Sequence, residues 1–79
     1  MAIFIRAGGV LRDYLHADVD EFTRKVEDFE GRNLREILES IGVPPGHVAM
    51  VFLGDKLITL RYAPKEGDVI TLRPPVQGG

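Results

Sequence analysis

The chain ends in Gly78-Gly79, directly after Arg73-Pro74-Pro75-Val76-Gln77. Neither terminal residue has a Cβ. The last peptide units therefore reach conformations closed to other residues, fit a channel too narrow for side chains, and leave the Gly79 carboxylate unhindered. With glycine at about 7% of residues, such a pair arises by chance in roughly one chain in 200. The bland alternative is a frayed end or a cloning remnant. No other group competes as a reactive centre. The chain has no cysteine, which excludes a disulfide, thiolate catalysis and a zinc–thiolate site. His16 and His47 are its only histidines. With acidic neighbours alone they do not compose a metal-ligand set, so surface or turn roles are expected. The acidic clusters Asp18, Asp20, Glu21 and Glu27, Asp28, Glu30 lack the spacing of a calcium loop. They read as a solvated face, with partner steering as the second choice. No phosphate-binding glycine loop and no nucleophile–base pair is present, so no catalytic residue is expected and any ATP site belongs to a partner.

At 79 residues the chain reads as one domain near the lower limit for a self-sufficient core. Its 44% apolar and 28% charged residues are ordinary for a globular domain. A net charge of −2 argues against a nucleic-acid partner. No apolar run is long enough to span a membrane, and Met1 to Arg6 does not read as a secretory leader. A cytoplasmic location is expected.

The elements that must position the chain end follow from apolar spacing. Ile3 to Arg6 predicts a strand with Ile3 and Ile5 on one face, broken at Gly8-Gly9. Residues 10–21 predict one short turn of helix or an ordered loop. Phe22 to Val26 predicts a second strand, but Arg24 interrupts its apolar parity and Phe29 falls on the other; a bulge near Glu27-Asp28 would reconcile them. Asn33 and Glu36 form a near capping box. Leu34, Ile37, Leu38 and Ile41 then make one helical stripe, stopped by Gly42 and Pro44-Pro45. Val48 to Leu53 is a near-continuous apolar strand, turned at Gly54-Asp55 into a short strand from Lys56 to Leu60. Lys65-Glu66-Gly67-Asp68 is a turn. Val69 to Arg73 is the last strand, which Pro74-Pro75 ends. One helix can cover one face of this sheet; the other face is solvated or meets a partner.

This order and the diglycine end together resemble the ubiquitin-like β-grasp fold, an α+β architecture with a small mixed sheet and one main helix packed on one face. Ile3-Phe4-Ile5 looks like ubiquitin's first strand. Met50-Val51-Phe52-Leu53-Gly54 followed by Leu57 looks like its third strand and turn. Within the fold the chain is most similar to the sulfur-carrier family, which includes the small subunit of molybdopterin synthase and the sulfur carrier of thiamine biosynthesis. The matching stretches are Asp20-Glu21-Phe22-Thr23, Leu34-Arg35-Glu36-Ile37-Leu38, Lys65-Glu66-Gly67-Asp68-Val69 and Pro74-Pro75-Val76-Gln77-Gly78-Gly79. Leu72-Arg73 before the prolines leans toward the thiamine carrier. The length and the segment Val10 to Leu15 lean toward the molybdopterin type, which is slightly favoured.

The resemblance implies a β-grasp domain at 1–75 and a flexible tail at 76–79, comprising Val76, Gln77, Gly78 and Gly79. It implies a carrier rather than an enzyme, with no cofactor of its own. A partner adenylating enzyme uses ATP to activate the Gly79 carboxylate, a sulfur donor replaces AMP to leave a thiocarboxylate, and a sulfur-using synthase consumes it. Without cysteine, a side-chain persulfide is excluded, so sulfur carriage falls to the C-terminus. The likeness to ubiquitin sends Met50 and Leu57 inward with Ile3, Ile5, Ile70 and Leu72. It turns Phe4, Val51, Thr71 and Arg73 outward as a partner-binding face. The competing reading of the 48–53 run buries both its sides. Two other function classes stay open: a ubiquitin-like modifier joined to lysines through Gly79, and a plain interaction module.

Overall fold

The computed structural model describes residues 1–75. Strand β1, Ile3–Ala7, alternates as expected: Ile3, Ile5 and Ala7 enter the core, and Phe4 and Arg6 turn away. Gly9 then adopts φ 59°, a left-handed backbone suited to glycine. It starts a single 3-10 turn that runs into the short helix α1, Arg12–Leu15. Leu11 and Leu15 are fully buried and pin this segment to the core.

β2, Thr23–Val26, pairs antiparallel with β1, setting Val26 opposite Ile3 and Arg24 opposite Ile5. Directly opposed residues share a face, so Arg24 lies on the core side. Its guanidinium reaches past the core and donates from Nη1 to the Leu15 carbonyl at 3.2 Å, answering one of the carbonyls that the end of α1 leaves open. The register is therefore intact despite the arginine. No bulge is needed for Phe29 either, because β2 stops at Val26 and Phe29 enters the core from the loop beyond it.

Helix α2, Leu34–Ile41, begins at the expected capping box. The Asn33 side chain accepts from the Glu36 N–H at 2.9 Å, and the Glu36 carboxylate accepts from the Asn33 N–H at 3.0 Å. Leu34, Ile37 and Leu38 bury the apolar stripe, and Gly42 closes the helix at φ 89°. The Leu34 and Arg35 N–H groups have no intrahelical acceptor. They donate instead to the Tyr62 and Leu60 carbonyls at 2.9 and 3.1 Å, tying the helix start to the 60–62 segment.

β3, Met50–Leu53, and β4, Lys56–Ile58, form a hairpin around Gly54, whose φ is 62°. β5, Val69–Arg73, runs parallel to β1 and antiparallel to β3. The sheet order is β2-β1-β5-β3-β4. A mixed sheet with its two terminal strands parallel at the centre, and one main helix over one face, is the β-grasp arrangement.

The register corrects one expectation. Val51 stands opposite Leu72, and Met50 opposite Arg73. Leu72 is a core residue, so its partner Val51 is one too, with only 3% of its surface exposed. Met50 is 39% exposed and Leu57 60%. The inward and outward sets of β3 and β4 are thus the reverse of those carried over from ubiquitin. A shift of one residue exchanges the faces of a strand. Val51 is not part of the outer face; Phe52 takes that role, opposite Thr71. Nor are both sides of the 48–53 run buried.

Candidate functional site

The place where the chain leaves the sheet is built by three strands. The C-terminal ends of the parallel strands β1 and β5 lie together, and the start of antiparallel β3 joins them through the Met50–Arg73 pair. The Ala49 N–H donates to the Arg73 carbonyl at 2.8 Å. Pro74 and Pro75 follow, and neither offers an N–H, so ladder pairing stops here by covalent structure. Gly9 lies alongside: a Cβ placed on it would sit 3.9 Å from the Pro74 ring. The tail Val76, Gln77, Gly78 and Gly79 falls outside the described residues, and so does the expectation of its flexibility.

The sheet face turned away from α2 surrounds this exit. Phe4 and Thr71 are partly exposed on it and Arg73 is exposed, as the sequence reading placed them. Two residues that reading left out complete the centre, Phe52 and Met50. Only their pairing opposite Thr71 and Arg73 reveals them, since an unbroken apolar run carries no alternation. The Arg73 guanidinium lies over the Phe52 ring, 5.6 Å from its centroid. Beyond β1, Arg12 lies over Phe22 at 5.1 Å. Arg6, Phe22, Thr71 and Arg73 line one shallow depression, and Phe52, Asp55, Thr71 and Arg73 a second, so that the arginines outnumber the one acid. Stacking holds each guanidinium over a ring while its N–H edges stay free for hydrogen bonds. An aromatic and aliphatic centre with a basic rim is what a protein-docking surface needs.

The remaining residues of chemical interest have structural roles. His16 ends α1 in a left-handed conformation at φ 55°. The His47 ring stacks on Tyr14, centroids 5.6 Å apart. Asp18 accepts from the Lys25 N–H at 2.9 Å, and Asp20 from the Phe22 N–H at 2.8 Å. This Asp20 contact, with one from the Thr23 side chain, holds its carboxyl below the usual range. These acids shape the loop into β2. In the Lys65 to Asp68 turn, Gly67 takes φ 86°. Asp68 Oδ2 accepts from the Tyr62 hydroxyl at 2.6 Å and from the Lys65 N–H at 2.9 Å. Donating to this carboxylate raises the Tyr62 phenol above its ordinary range. The glycine–aspartate motif is therefore a brace between the 60–62 segment and the start of β5.

Among the described residues, no group of three His, Asp or Glu side chains is placed to hold a metal ion. No helix among them is long and apolar enough to cross a membrane. None of the curated protein sequences matches the chain. The solved structures that match include two that are covered, like this chain, over their whole length. SAMP1 from Haloferax volcanii is 19% identical with a TM-score of 0.70, which shows a shared fold. A complex of subunits 1 and 2 of molybdopterin-converting factor from Helicobacter pylori 26695 contains a chain 27% identical, with a TM-score of 0.58. Residues 14–79 match the ThiS family, from the end of α1 through the diglycine. The chain belongs to the ThiS family of ubiquitin-like sulfur carriers.

Proposed function

We propose that the chain carries sulfur as a thiocarboxylate on Gly79 for cofactor biosynthesis. The family match running through the diglycine carries this reading. The exit geometry supports it, because the chain leaves the sheet beside an aromatic and basic face suited to docking.

The chemistry starts from a carboxylate, which is a poor electrophile. A partner adenylating enzyme joins it to the α-phosphate of ATP with release of pyrophosphate. A sulfur donor then displaces AMP and leaves the thiocarboxylate. That group gives its sulfur to a precursor on a synthase subunit, and hydrolysis returns the carboxylate. The chain supplies no catalytic group. It presents Gly79 at a set distance from the docked sheet, and Gly78 and Gly79 let the end enter a narrow channel. The likeness to a molybdopterin-converting factor chain seen with its partner subunit slightly favours molybdopterin over the thiazole of thiamine as the destination.

The test uses the full chain with activating enzyme, ATP and a sulfur donor, followed by intact mass. Replacement of one oxygen by sulfur is expected. Deleting Gly79, or adding one residue after it, should abolish loading with the fold intact. One residue changes the reach by about 3.3–3.6 Å, and a misplacement of about 1 Å can cost about a hundredfold in rate. Full conversion of the Gly79 deletion sinks the mechanism. An isopeptide-linked product in cells in place of the thiocarboxylate establishes the modifier reading instead.

A further inference from the structure

A helix the length of α2 is about 12 Å long and about 10 Å wide, while five strands spread over about 19 Å. One such helix cannot cover the whole core face, and on the β4 side the cover is missing. An open groove of about 730 Å³ lies there, lined by the start of α2, by Met50 and Val51 of β3, by Leu57 and Ile58 of β4, and by the residues flanking these strands. This falls within the range of about 300–1,000 Å³ usual for ligand pockets. Its floor includes the partly buried Val48, Ile58 and Leu60. Arg35, on the first turn of α2, and Arg61 are the exposed cations of its lining.

Three observations say what the groove fits. Neither arginine has a carboxylate within 4.0 Å among the described residues, whose one ion pair joins Arg32 to Asp28. The lining contains no Asp or Glu, although acids outnumber bases in the chain by 12 to 10. The groove also borders β4, an edge strand whose outer backbone groups have no sheet partner. Neither Arg35 nor Arg61 lies on the outer face at the chain exit.

We propose that this groove is a second docking site, filled by an extended segment of a partner protein in which carboxylates alternate with aliphatic side chains. The aliphatic groups cover the floor of Val48, Ile58 and Leu60. The carboxylates meet Arg35 and Arg61, whose planar guanidinium groups suit bidentate pairing. An extended backbone is required because it can satisfy the free edge of β4. A basic segment is rejected by both cations. Its two cations lie off the depressions at the chain exit, and Met50 alone of the outer face's centre also lines the groove. The carrier can therefore hold an extended segment here while Phe4, Thr71, Arg73 and the tail engage another partner.

The test is an amide NMR titration of the full chain with a pentapeptide of three glutamates alternating with two leucines. Its counterpart with lysines in place of glutamates is the control. Saturable shifts at Val48, Ile58 and Leu60 are expected with the acidic peptide only. The paired change Arg35→Glu and Arg61→Glu should weaken binding at least about tenfold, or about 1.4 kcal/mol. Arg35→Gln with Arg61→Gln should weaken it by less, and serves if the reversal perturbs folding, which thermal melting reports. Thr71→Glu on the outer face should leave it unchanged. The proposal is overturned by no saturable binding at millimolar peptide, by equal binding of the lysine peptide, or by shifts centred on Phe4 and Thr71. A dimer seen in sedimentation and abolished by the same charge reversals also overturns it, by assigning the groove to a second copy.

Discussion

Introducing aspartate at the neighbouring positions 50 and 51 separates the two faces of β3 with opposite expected outcomes. Val51 is 3% exposed and paired with Leu72 in the core. Val51→Asp loses the burial of a valine side chain, about 1.5–3 kcal/mol. It also buries a carboxyl with no partner. Such a group neutralises rather than stay charged, and a polar group left unpaired costs about 1–3 kcal/mol more on mutational scales. The sum, about 2.5–6 kcal/mol, competes with the whole stability expected of a 79-residue domain, about 4–12 kcal/mol at 0.05–0.15 kcal/mol per residue. Met50 is already 39% exposed and faces the same side as Arg73. Met50→Asp should cost under about 1 kcal/mol, a drop in Tm of no more than about 4–8 °C for a domain of this size. It should weaken docking of the proposed adenylating partner instead, because it puts a charge into the apolar centre of the candidate docking face. Denaturant titration by circular dichroism measures the first effect, and binding of the folded variant the second. If Met50→Asp unfolds the protein and Val51→Asp leaves it folded, the register of β3 on β5 is wrong by one residue.

The other expectations concern polar groups that the fold holds in place. Arg24 keeps a buried Nε without a partner, a loss of about 1–3 kcal/mol, against one hydrogen bond to Leu15. Arg24→Met keeps the apolar stem and should hold stability within about 1 kcal/mol or raise it; a loss beyond about 2 kcal/mol in denaturant titration shows that the charge itself secures α1. Tyr62 donates to Asp68 and its phenol is raised from 10.0. The unfolded chain therefore loses this proton first as pH rises, so the contribution is full below about pH 10 and is lost through the folded value above it. Tyr62→Phe should remove that alkaline loss and cost about 1 kcal/mol at neutral pH; an unchanged alkaline slope in the variant refutes the assignment. Asp20 is shifted the opposite way, lowered from 3.8, so its contribution is present above that value and disappears on acidification. Asp20→Asn should flatten the acid limb of the stability curve, and an equally steep limb in the variant rules the contact out as its source.

Much of the scaffold was legible because its signals are local. The capping box at Asn33 and Glu36, the stop at Gly42 and the turn at Gly54 depend on residues within a few positions, and all three formed. β1 and β5 alternate in sequence, so parity groups Ile3 with Ile5 and Ile70 with Leu72; the likeness to ubiquitin turns these pairs inward and Phe4, Thr71 and Arg73 outward, which is where they lie. β3 offered no such parity. Six consecutive apolar residues fit either register, and the decision rests on Leu72 standing opposite Val51, a contact between residues far apart in sequence. Arg24 misled for a related reason. Its polarity argued against a core-facing position, yet the Leu15 carbonyl at the end of α1 receives its guanidinium. The same non-local geometry made Phe52 and Met50 invisible as site residues and Val51 a false one. The open flank at Arg35 and Arg61 is harder still to read from sequence. It follows from the short reach of α2 across a five-stranded sheet, and no single residue encodes a mismatch between two elements. In a domain of this size, whatever the helix leaves uncovered is a large share of the apolar surface. The places where the fold is least complete, the outer face and the β4 flank, are therefore where partners have most to gain by binding.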